Sequence, residues 1–314
     1  EVTEVTKTTA TSGGVITSDG GASIIVRGVC WSTTTPPTVT DNKTQDGSEV
    51  GSFTSSITDL TAETTYYIRA YATNSNGTGY GSVHSFTTLE VNNYFNPDIT
   101  YGSMTDIDGN AYKTVNIGNQ TWMAENLKTT KYNDGTPIPN ITDIDTWGGL
   151  STGAYCNYDN LESNAATYGR LYNWYAVNTG KLAPAGWHVP TDDEWTILEN
   201  YLIANGYNYD GTKKENKIAK SLCAKSNWAL STEAGTPGAA PENNNITGFT
   251  ALPGGFSNFY YNDSFYGIGT YGSWWSSTYI LPGAYGRELG YHNKDLHSVF
   301  TFLENGFSVR LVRD

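Results

Sequence analysis

Residues 1 to about 88 contain short segments in which apolar, β-branched and aromatic residues alternate with polar ones or follow each other directly. Stretches rich in glycine, proline, aspartate and asparagine separate these segments and favour turns. The strand-like segments are GGVITS, IIVRGVCWS, GSFTSSI, TTYYIRAYAT and SVHSFTT. Several short strands at this spacing predict a β-sandwich.

One segment of this region carries a more specific pattern. LTAETTYYIRAYATNSNGTGYG resembles a fibronectin type III domain, with the matching residues Leu60, Thr64 and Tyr66 followed by an alternating strand and a glycine turn. The resemblance implies that Tyr66 is a corner tyrosine whose hydroxyl bonds to backbone upstream. Ile68, Ala70 and Ala72 follow at a period of two and are expected to point inward. An immunoglobulin-like sandwich of another topology remains an alternative. In either case we expect the domain to act as a spacer.

The segment LEVNNYFNPDI has no clear periodicity and contains Asn-Asn and Asn-Pro. We therefore expect a first domain at 1–88, a linker at 89–100 and a second domain at 101–314.

The second domain begins with signals for hairpins, because Asp108-Gly109 and Gly118-Asn119 favour tight turns. Helical spacing of apolar residues predicts a first helix over about 165–177 and a shorter one at about 215–224. After residue 247, short strand-like segments lie between loops rich in glycine and tyrosine. These segments are GFTALPGGF, GSWWSST, AYGREL and GFSVRLVRD.

The strongest helix signal follows Pro190. Thr191 and Glu194 form a capping box, in which each side chain bonds to the backbone of the other. Trp195, Leu198 and Leu202 then recur at helical spacing and predict one buried stripe.

Composition and charge narrow the classes of function. The net charge is −13, with 18 basic and 31 acidic residues, which disfavours a nucleic-acid partner. No run of 18 apolar residues occurs, so we expect no membrane-spanning segment. The opening EVTEVTKTTATSGG carries no signal peptide and is expected of a mature or trimmed chain. A content of 34 glycines and 23 tyrosines with only 16% charged residues is typical of surface-exposed β-rich proteins.

The three cysteines, Cys30, Cys156 and Cys223, lack CxxC spacing and cannot all pair. A Cys156–Cys223 disulfide stays open. We favour the alternative, in which all three are small buried hydrophobic residues.

Signals for catalysis and metal binding are weak. No G-x-S-x-G motif occurs, and the four histidines lack a convincing set of metal-ligating partners. They are His84, His188, His292 and His297. The residue types of the cluster Asp106-x-Asp108-Gly-Asn110 suggest calcium binding. The segment lacks the later bidentate glutamate of an EF-hand loop, however, and we interpret it as turn chemistry.

Paired carboxylates would point to a glycosidase. Asp192, Asp193 and Glu194 are explained by helix capping, whereas Glu288, Asp295 and Glu304 are scattered. We therefore expect a binding protein without a cofactor rather than an enzyme, and a structural calcium ion elsewhere stays open.

Seven motifs in the second domain occur together in a fixed order. They are GNQTWMAENLKTTKYNDG, GAYCNYDN, YGRLYNWYAV, GWHVPTDDEW, GFTALPGG, WWSST and GFSVRLVRD. Over about 104–314 the chain resembles the Fibrobacter succinogenes major paralogous domain, which is common in secreted proteins of gut Bacteroidetes. That family is similar to the formylglycine-generating-enzyme branch of the C-type lectin fold.

The resemblance implies a fold class: an all-β immunoglobulin- or fibronectin III-like sandwich followed by an α+β C-type-lectin-like domain. It does not carry over the enzyme chemistry, because formylglycine-generating enzymes depend on a C-terminal cysteine pair. This chain has no cysteine after Cys223.

The end of the chain is also similar to the variable proteins of diversity-generating retroelements, in which fixed motifs surround changeable positions. Such positions favour Tyr, Asn, Ser, Asp, His and Phe. The resemblance implies ligand binding by Asn258, Tyr260, Tyr271, Ser273, Tyr279, Leu281, Tyr285, Glu288, Tyr291, His292 and Asn293.

Residue types support binding independently, because tyrosine offers a large stiff contact surface and Asn, Ser and Gly add adaptable hydrogen bonds. We expect Tyr279, Tyr285 and Tyr291 to lie outside. We expect a buried core instead for Trp274, Trp275, Phe307 and Val309.

The expected partner is a surface protein or glycan of host or bacterial cells. The motifs of calcium-dependent sugar binding, Glu-Pro-Asn or Gln-Pro-Asp beside Trp-Asn-Asp, are absent. The expected location is extracellular or at the cell surface, secreted or anchored to the outer membrane, with a phage virion also open. Two alternatives remain: an enzyme of the formylglycine-generating or glycan-acting type, and a structural surface or pilus component.

Overall fold

The computed structural model of the chain describes residues 2–88, 94–258 and 265–314. The chain forms two compact units, Glu1–Asn92 and Asn93–Asp314. Both are rich in β-strands, and the helices are few and short. In the described part of the chain, no helix has the length and apolar character needed to cross a membrane.

The described residues of the first unit, 2–88, form strands and no helix. The strands are β1 (Ala10–Ile16), β2 (Val26–Ser32), β3 (Asn42–Lys43), β4 (Gly51–Ile57), β5 (Thr65–Asn74), β6 (Gly77–Tyr80) and β7 (His84–Thr87). β1 and β4 form one antiparallel sheet, and the second sheet has the order β3-β2-β5-β6, with β7 also paired to β5.

The core of the first unit contains Val29, Ile57 and Ile68, which are almost fully buried. Tyr66 is buried among them, and its hydroxyl accepts a hydrogen bond from the backbone N–H of Thr61 at 3.0 Å. The predicted contact between this tyrosine and upstream backbone is therefore confirmed, as is the inward position of Ile68. Ala70 and Ala72 are half-buried, whereas Tyr71 between them is buried.

The second unit contains the remaining strands and all of the α-helices. Its strands are β8 (Gly102–Thr105), β9 (Ala111–Ile117), β10 (Gln120–Met123), β11 (Tyr155–Cys156), β12 (Leu171–Tyr172), β13 (Trp187–His188), β14 (Gly254–Ser257), β15 (Phe265–Ile268), β16 (Tyr271–Ile280), β17 (Gly283–Gly290), β18 (His297–Thr301) and β19 (Val312–Arg313). Its helices are α1 (Ile144–Gly148), α2 (Glu162–Tyr168), α3 (Trp174–Asn178), α4 (Asp192–Ala204) and α5 (Ala219–Leu222).

Two five-stranded sheets organise this unit, with the orders β13-β19-β10-β9-β8 and β15-β14-β16-β17-β18. A third pair, β11–β12, is separate. In the second sheet the adjacent Trp274 and Trp275 point to opposite faces, because side chains alternate along a strand. Trp274 packs in the core with Trp195 of α4, and Trp275 stacks on Phe307 with ring centroids 4.6 Å apart. The expectation that these tryptophans, Phe307 and Val309 are buried is confirmed.

Helix α4 begins as its sequence predicts. The backbone N–H of Glu194 donates to the Thr191 hydroxyl at 3.2 Å, and the backbone N–H of Thr191 donates to the Glu194 carboxylate at 2.8 Å. Trp195, Leu198 and Leu202 are fully buried along one stripe. Local signals and tertiary packing agree here.

The helix predicted over 165–177 is wrong as a continuous element. Helix α2 ends at Tyr168, and Gly169 adopts a φ of 79° in close contact with Asn126, where an added Cβ would lie 2.6 Å from the Asn126 Cβ. The chain then forms β12 before α3 begins. Backbone pairing of β12 with β11 therefore overrides the helical spacing of the apolar residues. Of the shorter predicted helix, only α5 forms.

The two predicted hairpin turns are confirmed. Gly109 lies between β8 and β9 with a φ of 85°, and Gly118 lies between β9 and β10 with a φ of 61°. Such positive φ values are accessible to glycine at no steric cost.

The predicted linker is too long at its C-terminal end. Residues 89–93 lie outside the described residues, but Tyr94 and Asn96 are buried in the second unit. The side-chain amide of Asn245 donates to the Tyr94 carbonyl at 2.9 Å, and that of Asn96 donates to the Asn245 carbonyl at 3.0 Å. These buried contacts make residues 94–100 part of the folded second unit.

Candidate functional site

The segment predicted to contact a ligand folds mainly as the antiparallel ladder β16–β17–β18. Ser273 opposes Glu288 near one end of the β16–β17 pair, and Tyr279 opposes Ala284 near the other. Because a strand rises about 3.3 Å per residue, these two ends lie about 20 Å apart. Trp275 between them is fully buried. The predicted contact residues therefore fall into two separate groups.

The first group is an exposed apolar cluster at the β16–β17 hairpin and the end of β18, which we call the tip patch. Its exposed fractions are 48% for Tyr279, 42% for Ile280, 79% for Leu281, 51% for Phe300 and 44% for Phe302. Clusters of exposed apolar side chains on soluble proteins commonly mark interaction sites.

Neighbouring strands hold the tip patch together. Ile280 opposes Gly283, and the Phe300 ring lies over Gly283, where an added Cβ would be 2.9 Å from the ring. Tyr285 opposes Phe300, with ring centroids 6.3 Å apart. The absence of a side chain at Gly283 therefore lets the Phe300 ring lie across the strand.

The second group surrounds a half-buried carboxylate, and we call it the Glu288 patch. It comprises Tyr266, Tyr271, Ser273, Glu288, His292 and His297. The Ser273 hydroxyl donates to the Glu288 carboxylate at 3.2 Å, and His297 opposes Glu288 on β18. The Tyr271 ring centroid lies 6.0 Å from that of Tyr266 and 6.0 Å from that of His292.

The electrostatics of this patch centre on Glu288. Burial raises the pKa of its carboxyl group above the ordinary value of 4.5. The Ser273 hydrogen bond and the nearby His297 and His292 act in the opposite direction but do not cancel the effect of burial. Burial and the charge of Glu288 also raise the pKa of Tyr271. The Glu288 carboxylate is thus partly removed from water, and none of the described residues forms an ion pair with it.

The structure changes the assignment of several predicted contact residues. Ser273 is fully buried, so it positions Glu288 and cannot meet a ligand at the surface. Tyr291, expected outside, is half-buried and packs against the core cluster that contains Trp195. Asn258 and Asn293 are half-buried, and Tyr260 lies outside the described residues.

Sequence reasoning missed Ile280, Phe300 and Phe302 of the tip patch, and Tyr266 and His297 of the Glu288 patch. Large apolar residues in strands are usually buried, so their types alone did not mark them as surface residues. Phe300 and Phe302 are separated by Thr301 but flanked by the apolar residues Val299 and Leu303, so the local pattern also gave no surface signal.

The acidic turn considered for calcium uses its oxygens within the protein. Asp106 accepts from the Tyr112 hydroxyl at 2.5 Å and from the side-chain amide of Asn110 at 2.9 Å. Asp108 accepts from the backbone N–H of Thr130 at 2.6 Å. Although burial acts to raise the pKa of Asp108, hydrogen bonds from Thr130, Lys131 and Thr129 lower it to about 2. The interpretation as turn chemistry is confirmed.

The other candidates for chemistry are spread over the second unit. Among residues 2–88, 94–258 and 265–314, no group of three or more His, Cys, Asp or Glu side chains is arranged to hold a metal ion. His188 lies between two carboxylates, with Nε2 2.7 Å from Glu194 and Nδ1 2.6 Å from Asp314. Asp192 pairs with the buried guanidinium of Arg287. These groups connect structural elements.

The cysteines are three buried free thiols. Burial raises the pKa of Cys30, Cys156 and Cys223 above the ordinary value of 9.0. The alternative of small buried hydrophobic residues therefore holds, and the Cys156–Cys223 disulfide does not form.

Comparison with known proteins adds one strong finding. No curated protein matches the chain. Among solved structures, the sensor domain of the anti-sigma factor RsgI4 in Pseudobacteroides cellulosolvens matches at 19% identity with a TM-score of 0.23, over 29% of this chain and 72% of that one. The model of the Fibrobacter succinogenes major domain matches residues 115–313. This match spans more than half of the chain and nearly all of the second unit, and the chain therefore belongs to the Fibrobacter succinogenes major domain family.

Proposed function

We propose that this protein is an extracellular or cell-surface binding protein whose second unit attaches to a protein on another surface. The tip patch is the principal contact, and the Glu288 patch is a second contact on the same sheet. We further propose that the first unit is a fibronectin III-like spacer and that the second has a C-type-lectin-like fold.

The tip patch carries this proposal. Five large apolar side chains, each at least 42% exposed, are located on the β16–β17 hairpin and at the end of β18. Burying these side chains against a partner would contribute roughly 25 cal/mol of favourable free energy for each Å² of apolar surface removed from water. Aromatic anchors near the centre of a contact commonly dominate its affinity.

The test compares attachment of purified protein to intact bacterial and epithelial cells by flow cytometry. We expect the triple variant Tyr279→Ser, Leu281→Ser, Phe300→Ser to attach at least about tenfold more weakly, because it removes the apolar anchors. All three side chains are exposed, so the fold should persist.

A matched control replaces two exposed apolar residues elsewhere in the second unit, Ile197→Ser and Leu230→Ser, which are 54% and 82% exposed. This variant should attach like the unmodified protein. Equal attachment by the triple variant would contradict the proposal. If the unmodified protein instead assembles with itself and the triple variant does not, the chain is a structural surface component.

Diversification of the contact residues is a finer proposal of the same kind. It predicts a near-copy of the 3′ end of the coding region beside a reverse transcriptase gene, with differences at adenines. Sequencing the genomic neighbourhood tests it, and the absence of such a copy would contradict it.

A further inference from the structure

Glu288 occupies an unusual position for a carboxylate. On β17 it is flanked by Ser273 of β16 and His297 of β18, on the same side of the sheet. Arg287, the next residue along the strand, points to the opposite face and pairs there with Asp192 of α4. The nearest strong base in the sequence therefore does not neutralise Glu288.

The Glu288 carboxylate also accepts few hydrogen bonds from the described residues. Within residues 2–88, 94–258 and 265–314, its one hydrogen-bond donor is the Ser273 hydroxyl at 3.2 Å, and no ion pair forms. A carboxylate has about four acceptor positions. Partial burial without an opposite charge costs free energy, and an external cation that approached the group would recover it.

Aromatic rings border the same carboxylate. The Tyr271 ring lies across the sheet between two glycines: an added Cβ would be 2.9 Å from the ring at Gly267 and 3.3 Å from it at Gly290. Tyr266, which is 55% exposed, extends this aromatic edge. Tyrosine faces attract cations through the quadrupole of the ring.

We propose that the Glu288 patch binds a basic side chain, arginine or lysine, of the protein partner. The cation would donate hydrogen bonds to the Glu288 carboxylate and lie against the Tyr271 ring, which is the combination of contacts that a guanidinium group favours. This inference rests on the proposed function and names the chemistry of one contact. A net charge of −13 also favours a basic partner.

A neutral glycan fits these observations less well. Sugar hydroxyls would hydrogen-bond the carboxylate, but they would not supply the missing positive charge. Binding of an oligosaccharide is therefore the competing outcome of the test.

The charged surroundings make binding sensitive to pH. His297 of β18 and His292 of the β17–β18 loop face Glu288, while Tyr271 of β16 and Tyr266 of β15 complete its border. Asp295 lies 3.6 Å from the His297 ring nitrogen. Because burial raises the pKa of Glu288, its carboxylate takes up a proton at a higher pH than an exposed glutamate does. Protonation removes the negative charge, so binding of a cation should weaken in acid.

The experiment titrates the full chain, labelled with ¹⁵N, with three blocked peptides, Gly-Arg-Gly, Gly-Lys-Gly and Gly-Gln-Gly, and with neutral oligosaccharides. We expect saturable shifts around Glu288 with the arginine and lysine peptides only. Glu288→Gln keeps the size and the Ser273 contact but should raise Kd by about tenfold. Lowering the pH from 7.5 to 5.5 should raise Kd more in the unmodified protein than in Glu288→Gln, because burial raises the pKa of Glu288 and protonation removes its charge.

A matched control is Glu304→Gln, a half-buried glutamate that keeps a hydrogen bond from the Tyr175 hydroxyl at 2.8 Å. It should leave binding of the arginine peptide unchanged. A second variant, Tyr271→Leu, should weaken binding of the arginine peptide, whereas Tyr271→Phe should not, because only the first removes the ring.

Three results would overturn the inference: no saturable binding of either basic peptide, equal binding by Glu288→Gln, or oligosaccharide binding at the patch. Its failure is distinguishable from failure of the proposed function. The tip-patch triple variant should still bind the arginine peptide while losing cell attachment. If that attachment loss is seen without any peptide binding, only the inference about Glu288 fails.

Discussion

Arg310 is a fully buried residue near the end of the chain, and its guanidinium group faces oxygen atoms of neutral groups. Its Nε donates to the Asn126 side chain at 2.9 Å, and its terminal nitrogens donate to the carbonyls of Thr250, Met123 and Phe249. The planar fork of five donors suits several acceptors at once. The residue therefore joins three separate segments of the second unit.

Arg310→Lys should lower the free energy of unfolding by about 3 kcal/mol, because an ammonium group cannot reach all of these acceptors and leaves buried carbonyls unpaired. Denaturant unfolding of the full chain measures the change. The control is Arg313→Lys, at an exposed position, which should change stability by no more than about 0.5 kcal/mol. Equal effects of the two substitutions would show that the buried network contributes little.

At the scale of elements, His188 connects β13, α4 and the end of the chain. Burial by itself lowers the pKa of His188, but hydrogen bonds to Asp314 and Glu194 outweigh that effect and raise the pKa above the ordinary value of 6.5. The protonated ring thus stabilises the folded state. This stabilisation is fully present below pH 6.5 and disappears as the pH rises through the raised pKa.

We therefore expect the melting temperature of the unmodified protein to exceed that of His188→Gln at pH 5.5, with a smaller difference at pH 8.5. Calorimetry at the two pH values measures this difference. His84→Gln, at an exposed histidine of the first unit, is the control and should show no comparable dependence on pH. If the difference in melting temperature between the unmodified protein and His188→Gln instead grows toward pH 8.5, the assigned direction of the His188 pKa shift is wrong.

At the scale of the molecule, the boundary between the two units depends on a small number of buried contacts. Asn245 is fully buried, and its side-chain amide donates to the Tyr94 carbonyl. Phe95 packs against the core of the second unit. The second unit therefore begins before β8 and includes a segment without regular structure.

A fragment of residues 94–314 should consequently be more stable than one of residues 101–314. In the shorter fragment the Asn245 amide loses its bond to the Tyr94 carbonyl and keeps the one to the Thr250 hydroxyl. That loss and the lost packing of Tyr94 together cost about 2 kcal/mol or more. For a domain of this size, that corresponds to a melting temperature lower by about 4–8 °C. Thermal unfolding of both fragments, compared with the full chain, measures it. Identical melting temperatures of the two fragments would support the prediction that residues 89–100 form a linker.

Features that depend on a few consecutive residues were predictable from the sequence. The start of α4 follows from Thr191 and Glu194, the two hairpin turns follow from their glycines, and the corner contact of Tyr66 follows from a local motif. The order of seven motifs also predicted the family, which the match over residues 115–313 confirms. Each of these signals acts within a short stretch of chain, where bonding geometry and backbone conformation leave few alternatives.

Only the tertiary structure decided which of the predicted contact residues meet solvent. Ser273 and Glu288 are adjacent because β16 and β17 pair in one register, and the Tyr271 ring is held over Gly290 of the neighbouring strand. The same pairing buries Trp275 and so divides the candidate surface into two patches. A local pattern does not specify the partner strand across which a side chain lies, because that choice comes from packing between residues far apart in the chain.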